Sequence, residues 1–300
     1  MLKKVGIIGA GVVGTAVAAV LAEHGFEITG VCDTDPESTN RIVQLMAGIS
    51  VDSAEAVSRS ADILFITTKD GAIEQVVNYL TERKAFHDQQ IVIHMSGAHS
   101  SELLAGSKAF GAIAISMHPL QTFADVQQAI KNLPGSMFSI EGDEPGFAAA
   151  VSIIEALGGD YFYIDSSAKP FYHAGACVVS NYLVTLADFG VSLLNHAGVE
   201  RETAFKAYMP LIEGTVNNLR ELGLPKALTG PIARGDKYTV ISHLDSLRKT
   251  NENLLKLYCQ LGFHTVPLAC EKGGISPEDR QDWQQLFQNL LDGGSLKSTT

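Results

Sequence analysis

A chain of 300 residues is long for one domain and comfortable for two, and 46% apolar against 18% charged residues gives it enough to build a core, which excludes global disorder. A formal charge of -11 and a pI near 5.2 argue against nucleic acid or an anionic membrane as partner, since either needs a basic surface; a small anionic substrate stays allowed through a local basic cleft. Cys32, Cys177, Cys259 and Cys270 form no CxxC pair and no metal-ligand spacing, so they read as reduced thiols of a cytoplasmic protein, with no metal expected.

Lys3 and Lys4 precede an uncharged stretch from Val5 to Ala22 with the outline of a signal peptide or membrane anchor. Gly6, Gly9, Gly11 and Gly14 interrupt it and no leucine-dense block follows, so the soluble reading is preferred. Short apolar strands then alternate with amphipathic helices, the pattern of a parallel sheet covered on both faces. Strands are expected at Lys4–Gly9, Glu27–Cys32, Ile63–Thr67, Gln90–Met95, Ala112–Met117, Met137–Glu141 and Asp160–Ile164. Helices are expected at Val12–His24, Glu37–Ala47, Ala54–Arg59, Ala72–Glu82, Ser101–Ala105 and Gly146–Leu157. From Pro170 the pattern turns helical: an apolar run Pro170–Ala197, then Arg201–Leu222, Val240–Leu261 and Pro277–Leu291, with a Pro- and Gly-bearing loop at Leu224–Lys237 and a frayed tail from Gly293. The fold class expected is α/β, a doubly wound Rossmann-type sheet over residues 1–166 followed by an all-α domain over 167–300.

Gly9-Ala10-Gly11-Val12-Val13-Gly14 is a GxGxxG preceded by a strand and followed by a helix. In that setting Gly9 allows the tight turn, Gly11 lets backbone approach a pyrophosphate, and Gly14 lets helix pack on strand. The helix start at Val12 and Val13 offers free N–H groups to phosphate. Asp33 follows at the end of the second strand, where an acid holds adenine ribose hydroxyls and repels a 2′-phosphate, so NAD is preferred to NADP. Thr67, Thr68 and Lys69 end the next strand, along the nicotinamide half of such a cleft.

Ser96 and His118 close later strands around the same mouth; each reads equally as a substrate contact or as a structural turn serine and a hydrogen-bonded histidine. Lys169 precedes Pro170 and falls at the N-terminal mouth of the long apolar helix, where the helix dipole disfavours a cation and lowers its pKa. That suits a proton donor or acceptor near neutral pH, with His173 one turn later and Asn181 about 80° around the helix. Arg234, in Thr229–Asp236, adds a cation on a glycine-bearing loop that closes over substrate or simply connects helices.

On Gly9–Gly14, His94-Met95-Ser96-Gly97, His118-Pro119-Leu120-Gln121-Thr122-Phe123, Lys169–Ala174, Asn181 and Leu228–Asp236, the chain resembles two-domain proteins that pair a Rossmann-like N-terminal domain with an all-α C-terminal domain of unknown function. More distantly it is similar to β-hydroxyacid dehydrogenases, ketopantoate reductase and pyrroline-5-carboxylate reductase, with a 6-phosphogluconate dehydrogenase-like C-terminal domain. The resemblance implies that Lys169 matches a catalytic lysine and Asn181 a substrate-holding asparagine, although His173 stands where that asparagine usually falls, and it implies a homodimer through the helical domain. The expectation is an NAD(P)-dependent oxidoreductase acting on a small polar, carboxylate-bearing metabolite: Lys169 and His173 catalytic, Ser96, His118, Asn181 and Arg234 holding substrate. The competing expectation is a dinucleotide sensor without turnover.

Overall fold

In the computed structural model, residues 4–294 are described; 295–300, the rest of the expected frayed tail, lie outside the described residues. The chain forms two compact units, residues 1–182 and 183–300.

The first unit is a seven-stranded sheet in the order β2-β1-β3-β4-β5-β6-β7. Its elements are β1 (Lys4–Ile8), α1 (Val12–Glu23), β2 (Glu27–Cys32), α2 (Pro36–Leu45), α3 (Ala54–Ser60), β3 (Ile63–Ile66), α4 (Asp70–Glu82), β4 (Ile91–His94), α5 (Ala105–Lys108), β5 (Ile113–Pro119), α6 (Val126–Asn132), β6 (Met137–Gly142), α7 (Phe147–Ala156), β7 (Asp160–Tyr163) and α8 (Lys169–Val179). Strands β1 to β5 pair in parallel; β6 turns antiparallel to β5, and β7 runs parallel to β6. All seven expected strands are present within one or two residues at each end. Both faces are covered, which is why β3 reads as an unbroken apolar run, and β4 as one up to its last residue, His94, and neither alternates. The segment that resembled an anchor folds as β1 and α1, and Val5, Ile7, Val17, Ala18 and Leu21 make the core beneath them.

Helix α6 was not anticipated. It starts on Asp125, whose carboxylate accepts the Gln128 N–H at 2.8 Å, so an Asp-x-x-Gln cap signal was present in a stretch that reads as loop. The expected boundary at 166/167 falls instead at 182/183, because Lys169 buries its side chain against the ends of β4 and β5 and ties the first helix after the sheet to it. The single long helix expected over Pro170–Ala197 is two, since the backbone breaks at Ser180 (φ -110°, ψ -69°).

The second unit holds most of α9 (Asn181–His196), then α10 (Arg201–Leu222), α11 (Lys237–Arg248), α12 (Glu252–Lys272) and α13 (Arg280–Leu291). Val240–Leu261 is not one helix: Asn251 accepts the N–H groups of Asn253 and Leu254 at 2.9 and 3.3 Å and starts α12 afresh. Helix α12 then runs past Gly262 and through Pro267, and Gly262 is required there because a Cβ would overlap the Phe287 ring of α13. Val240, Leu244, Cys259, Val266, Trp283 and Phe287 form the core of this unit. By contrast the 22-residue α10 buries only Ala204, and Leu211 is 64% exposed.

Candidate functional site

The glycine loop between β1 and α1 is built as its spacing requires. Gly9 has φ +105°, and a Cβ there would stand 2.6 Å from the Thr67 backbone. At Gly14 a Cβ would overlap the Gly9 carbonyl oxygen and Thr67 Oγ1, so α1 lies on the loop only with glycine at that position. Gly11 differs: nothing stands within 4 Å of a Cβ there. Gly11 is also the N-cap of α1, and no side chain caps the helix, so its first N–H groups at Val12 and Val13 have no side-chain acceptor. An open space over a glycine, at an uncapped helix start, fits a pyrophosphate. Asp33 fixes the loop's far side, accepting the Ala10 N–H at 2.7 Å and the Asp35 N–H at 2.9 Å. Thr67 Oγ1 donates to the Gly9 carbonyl at 2.7 Å, a bond that holds the loop; Lys69 is exposed at the start of α4.

A second feature lies along one face of the sheet. In register, His94 of β4 pairs Ser116 of β5, Ser116 pairs Glu141 of β6, and His118 pairs Ser139. Their neighbours on the other face, Ile115, Met117, Phe138 and Ile140, are core. A stripe of polar side chains inside a doubly covered sheet needs hydrogen-bond partners. Glu141 is buried and accepts both the N–H and the hydroxyl of Ser101, at 2.8 and 2.9 Å. His94 accepts the Ser96 N–H on Nδ1 (3.2 Å) and meets the Ser100 carbonyl through Nε2 (3.0 Å), which assigns it the neutral Nε2–H form; burial pushes its pKa down to about 4.

Lys169 lies over this stripe. It is the first residue of α8, only 1% exposed, and Nζ donates to the Ser96 carbonyl at 3.1 Å and to Ser116 Oγ at 2.7 Å. Burial lowers its pKa to about 8, while Glu141 and Asp70 pull the other way. The helix dipole, invoked from sequence, is therefore not the leading cause; desolvation is. Ser96 Oγ donates to Asp70 Oδ2 at 2.9 Å and accepts the N–H groups of Ala98 and His99, so the hydroxyl holds the turn that Lys169 grips from below.

His118 is partly exposed, and its Nδ1 is 2.6 Å from the Tyr172 hydroxyl. Burial first, then the Lys169 charge, brings its pKa to about 4. His173 stands edge-on to it, ring centroids 6.4 Å apart, with Nδ1 buried and unpartnered and Nε2 3.7 Å from Cys177 Sγ. Gly97 lies against both rings: a Cβ there would come within 2.8 Å of His118 Nε2 and 2.9 Å of His173 Nδ1.

Ser96, His118, Lys169 and His173 thus come together. Asn181 does not join them. It is exposed at the start of α9, and the break at Ser180 removes the continuous helical face on which it was placed. Arg234, exposed in a short 3₁₀ turn, belongs to the second unit. Sequence reasoning passed over Ser116 and Glu141, and gave Asp70 and Tyr172, which lie in segments it singled out, no role of their own. The signal for the first two was present: Ser116 and His118, then Ser139 and Glu141, alternate with apolar residues in strands buried on both faces.

Residues 2–119 match the Rossmann-like domain family and residues 136–265 match the domain of unknown function DUF2520; the chain pairs these two domains. No curated protein sequence matches it. Among solved structures it is similar to protein TM1727 from Thermotoga maritima (24% identity, TM-score 0.69, covering 89% of this chain and 97% of that one). It is also similar to a Bacteroides fragilis protein, BF3122, provisionally named an NADP oxidoreductase (20%, TM-score 0.65, 97% and 98%). A third is a reductive aminase from Aspergillus terreus in complex with NADPH and ethyl-5-oxohexanoate (16%, TM-score 0.58, 99% and 96%). At these identities the likeness is one of fold.

Proposed function

We propose that this protein is a nicotinamide-dependent oxidoreductase that acts on a small polar, carboxylate-bearing metabolite at the His118–Lys169 cluster. The observation that carries the reading is Gly11: among the three motif glycines it alone has open space where a side chain would be, and it opens an uncapped helix. A bound nicotinamide dinucleotide supplies the hydride chemistry. Gly9, Gly11 and the N–H groups of Val12 and Val13 would hold its pyrophosphate, with Thr67, Thr68 and Lys69 along the rim. His118 is the group that meets the reacting heteroatom of the substrate, because it is reachable and Lys169 is not. Lys169 acts through its neighbours: it fixes the Ser96–Gly97 turn and places a buried positive charge behind His118. His173 packs beside His118 and keeps its ring in place.

Asp33 supports NAD over NADP. Its carboxylate is pinned at the rim by Ala10 and Asp35, and it cannot turn away from a 2′-phosphate without breaking both bonds. Titrating NADH and NADPH by fluorescence at one salt concentration is expected to give at least tenfold tighter binding of NADH. Tighter NADPH, the cofactor named for two of the similar structures, would point to Arg41, now bonded to Ser38 Oγ at 3.0 Å, swinging into the site. Binding of neither would remove the reading.

The exposed apolar residues of α9 and α10, including Val184 at 72% and Leu211 at 64%, support a homodimer, a second copy covering helices that this chain leaves bare. Light scattering at micromolar concentration is expected to give about 64 kDa, twice the 32.0 kDa chain. A monomer overturns it. Among the described residues one helical run, Ser166–His196, is also long and apolar enough to cross a membrane, with mean hydropathy 1.6; a chain that stays soluble only in detergent would favour that use of the same surface.

A further inference from the structure

His118 and Tyr172 make a bond whose direction decides what His118 offers a substrate. An imidazole that donates from Nδ1 presents a bare Nε2, a base; one that accepts at Nδ1 presents an Nε2–H, a donor. The heavy-atom distance is 2.6 Å, shorter than N–H···O bonds usually reach and within the range of a hydroxyl donor. A phenol O–H is a strong donor and a poor acceptor, since its oxygen lone pair is delocalised into the ring, whereas a pyridine-type ring nitrogen is a good acceptor. Both groups are also held neutral. Burial raises the Tyr172 pKa, and burial together with Lys169, His173 and His94 lowers that of His118, against the single opposing charge of Asp70. Nδ1 therefore has one donor, the phenol. Ser139, paired with His118 across β5 and β6, also interacts with the Tyr172 hydroxyl, in the sense that lowers the phenol pKa: it acts as a donor to the phenol oxygen and leaves the phenol hydrogen for Nδ1. His118 Nε2 has no protein partner and is not among the buried unpaired atoms, and Gly97 keeps the space beside it clear of a side chain.

We propose that Tyr172 donates its hydroxyl hydrogen to His118 Nδ1 and so fixes His118 as the Nε2–H tautomer, a neutral donor to the heteroatom of a carbonyl or imine substrate. The inference rests on the oxidoreductase reading and gives it a substrate class: compounds with a polarised C=O or C=N bond, bound for reduction. Hydride from a bound dinucleotide would add to carbon, the C=O or C=N π pair would pass to the heteroatom, and the neutral imidazole would stabilise the charge there until a solvent proton, admitted beside the partly exposed His118, completes the alcohol or amine. Tyr172 is a positioning residue, two bonds removed from substrate. Lys169 assists from behind, because its charge opposes protonation of Nδ1 and so keeps that nitrogen available to the phenol.

Ring-nitrogen NMR of the full chain, labelled with ¹⁵N-histidine near pH 7.5, tests this without a substrate. The His118 resonances, identified by their loss in His118→Asn, are expected to show a pyrrole-type Nε2 carrying hydrogen and a pyridine-type Nδ1. In Tyr172→Phe the same resonances are expected to move toward the tautomer average while a thermal melt stays cooperative. A wild-type spectrum with hydrogen on Nδ1, or a Phe variant with an unmoved tautomer, overturns the proposal; if the variant does not fold, the wild-type spectrum decides alone. NADH fluorescence on the same sample reports the dinucleotide reading separately. A fixed Nε2–H tautomer in a chain that binds no NADH would sink that reading and leave the tautomer assignment standing.

Discussion

Gly11→Val is expected to fold normally and to lose NADH affinity by at least a hundredfold, about 2.8 kcal/mol. The position is open, with nothing within 4 Å of a Cβ, so the substitution meets no protein atom. The isopropyl group instead fills the space over the helix start through which a pyrophosphate would reach the N–H groups of Val12 and Val13. Gly14→Ala is its opposite. The added methyl would overlap the Gly9 carbonyl and Thr67 Oγ1, atoms of a loop that cannot yield without disturbing β1. Overpacking of that kind costs about 1–3 kcal/mol or more, so the midpoint of thermal unfolding should drop by several degrees. Thermal melts and NADH fluorescence on both variants separate the roles: one glycine serves the ligand, the other the fold. A Gly11→Val chain that binds NADH as tightly as its parent would remove the cofactor site.

The difference between those glycines shows what was legible beforehand. GxGxxG in a strand–turn–helix setting specifies both the loop and its use, because each glycine answers a separate steric demand. The seven strands were legible for a related reason: a sheet buried on both faces leaves short apolar runs punctuated by turn residues. The interior of the site was not. Glu141 and Ser116 are distant in sequence and become neighbours only through the antiparallel pairing of β6 on β5, a reversal that the preceding parallel strands do not announce. The placing of Asn181 on one continuous helix with His173 did not foresee the break at Ser180, which no proline or glycine marks. His118 was placed at the mouth, but its partner Tyr172 sits on α8, 54 residues later, where spacing alone could not pair them.

Lys169→Met should reveal the buried charge through stability before any substrate is known. In the folded chain burial brings the amine to about 8; in the unfolded chain it titrates near the ordinary value of about 10.4. Below about pH 8 both states hold the proton, and the fold bears the full cost of a buried ammonium. Between about 8 and 10.4 the unfolded chain keeps a proton that the folded chain has lost, so it binds more protons and folding stability rises with pH. Above that window the contribution is flat. Methionine has nearly the same length and no charge, so the variant should lack this rise. The wild-type minus variant difference in denaturant unfolding is then expected to grow with pH across the window, by on the order of 3 kcal/mol. At pH 7 the variant gains from the missing charge and loses the bonds to Ser96 and Ser116, so its net stability there should change little. Turnover should not escape so lightly. Without the ammonium the Ser96–Gly97 turn is untethered and the charge behind His118 is gone, a loss comparable to removing one preorganised donor, roughly 10²–10³ in rate. NADH affinity should hold, because Lys169 lies under the β4 and β5 ends and not at the glycine loop. Parallel pH profiles for the two proteins would show that Lys169 is solvated in the folded state, and that the burial assigned to it is wrong.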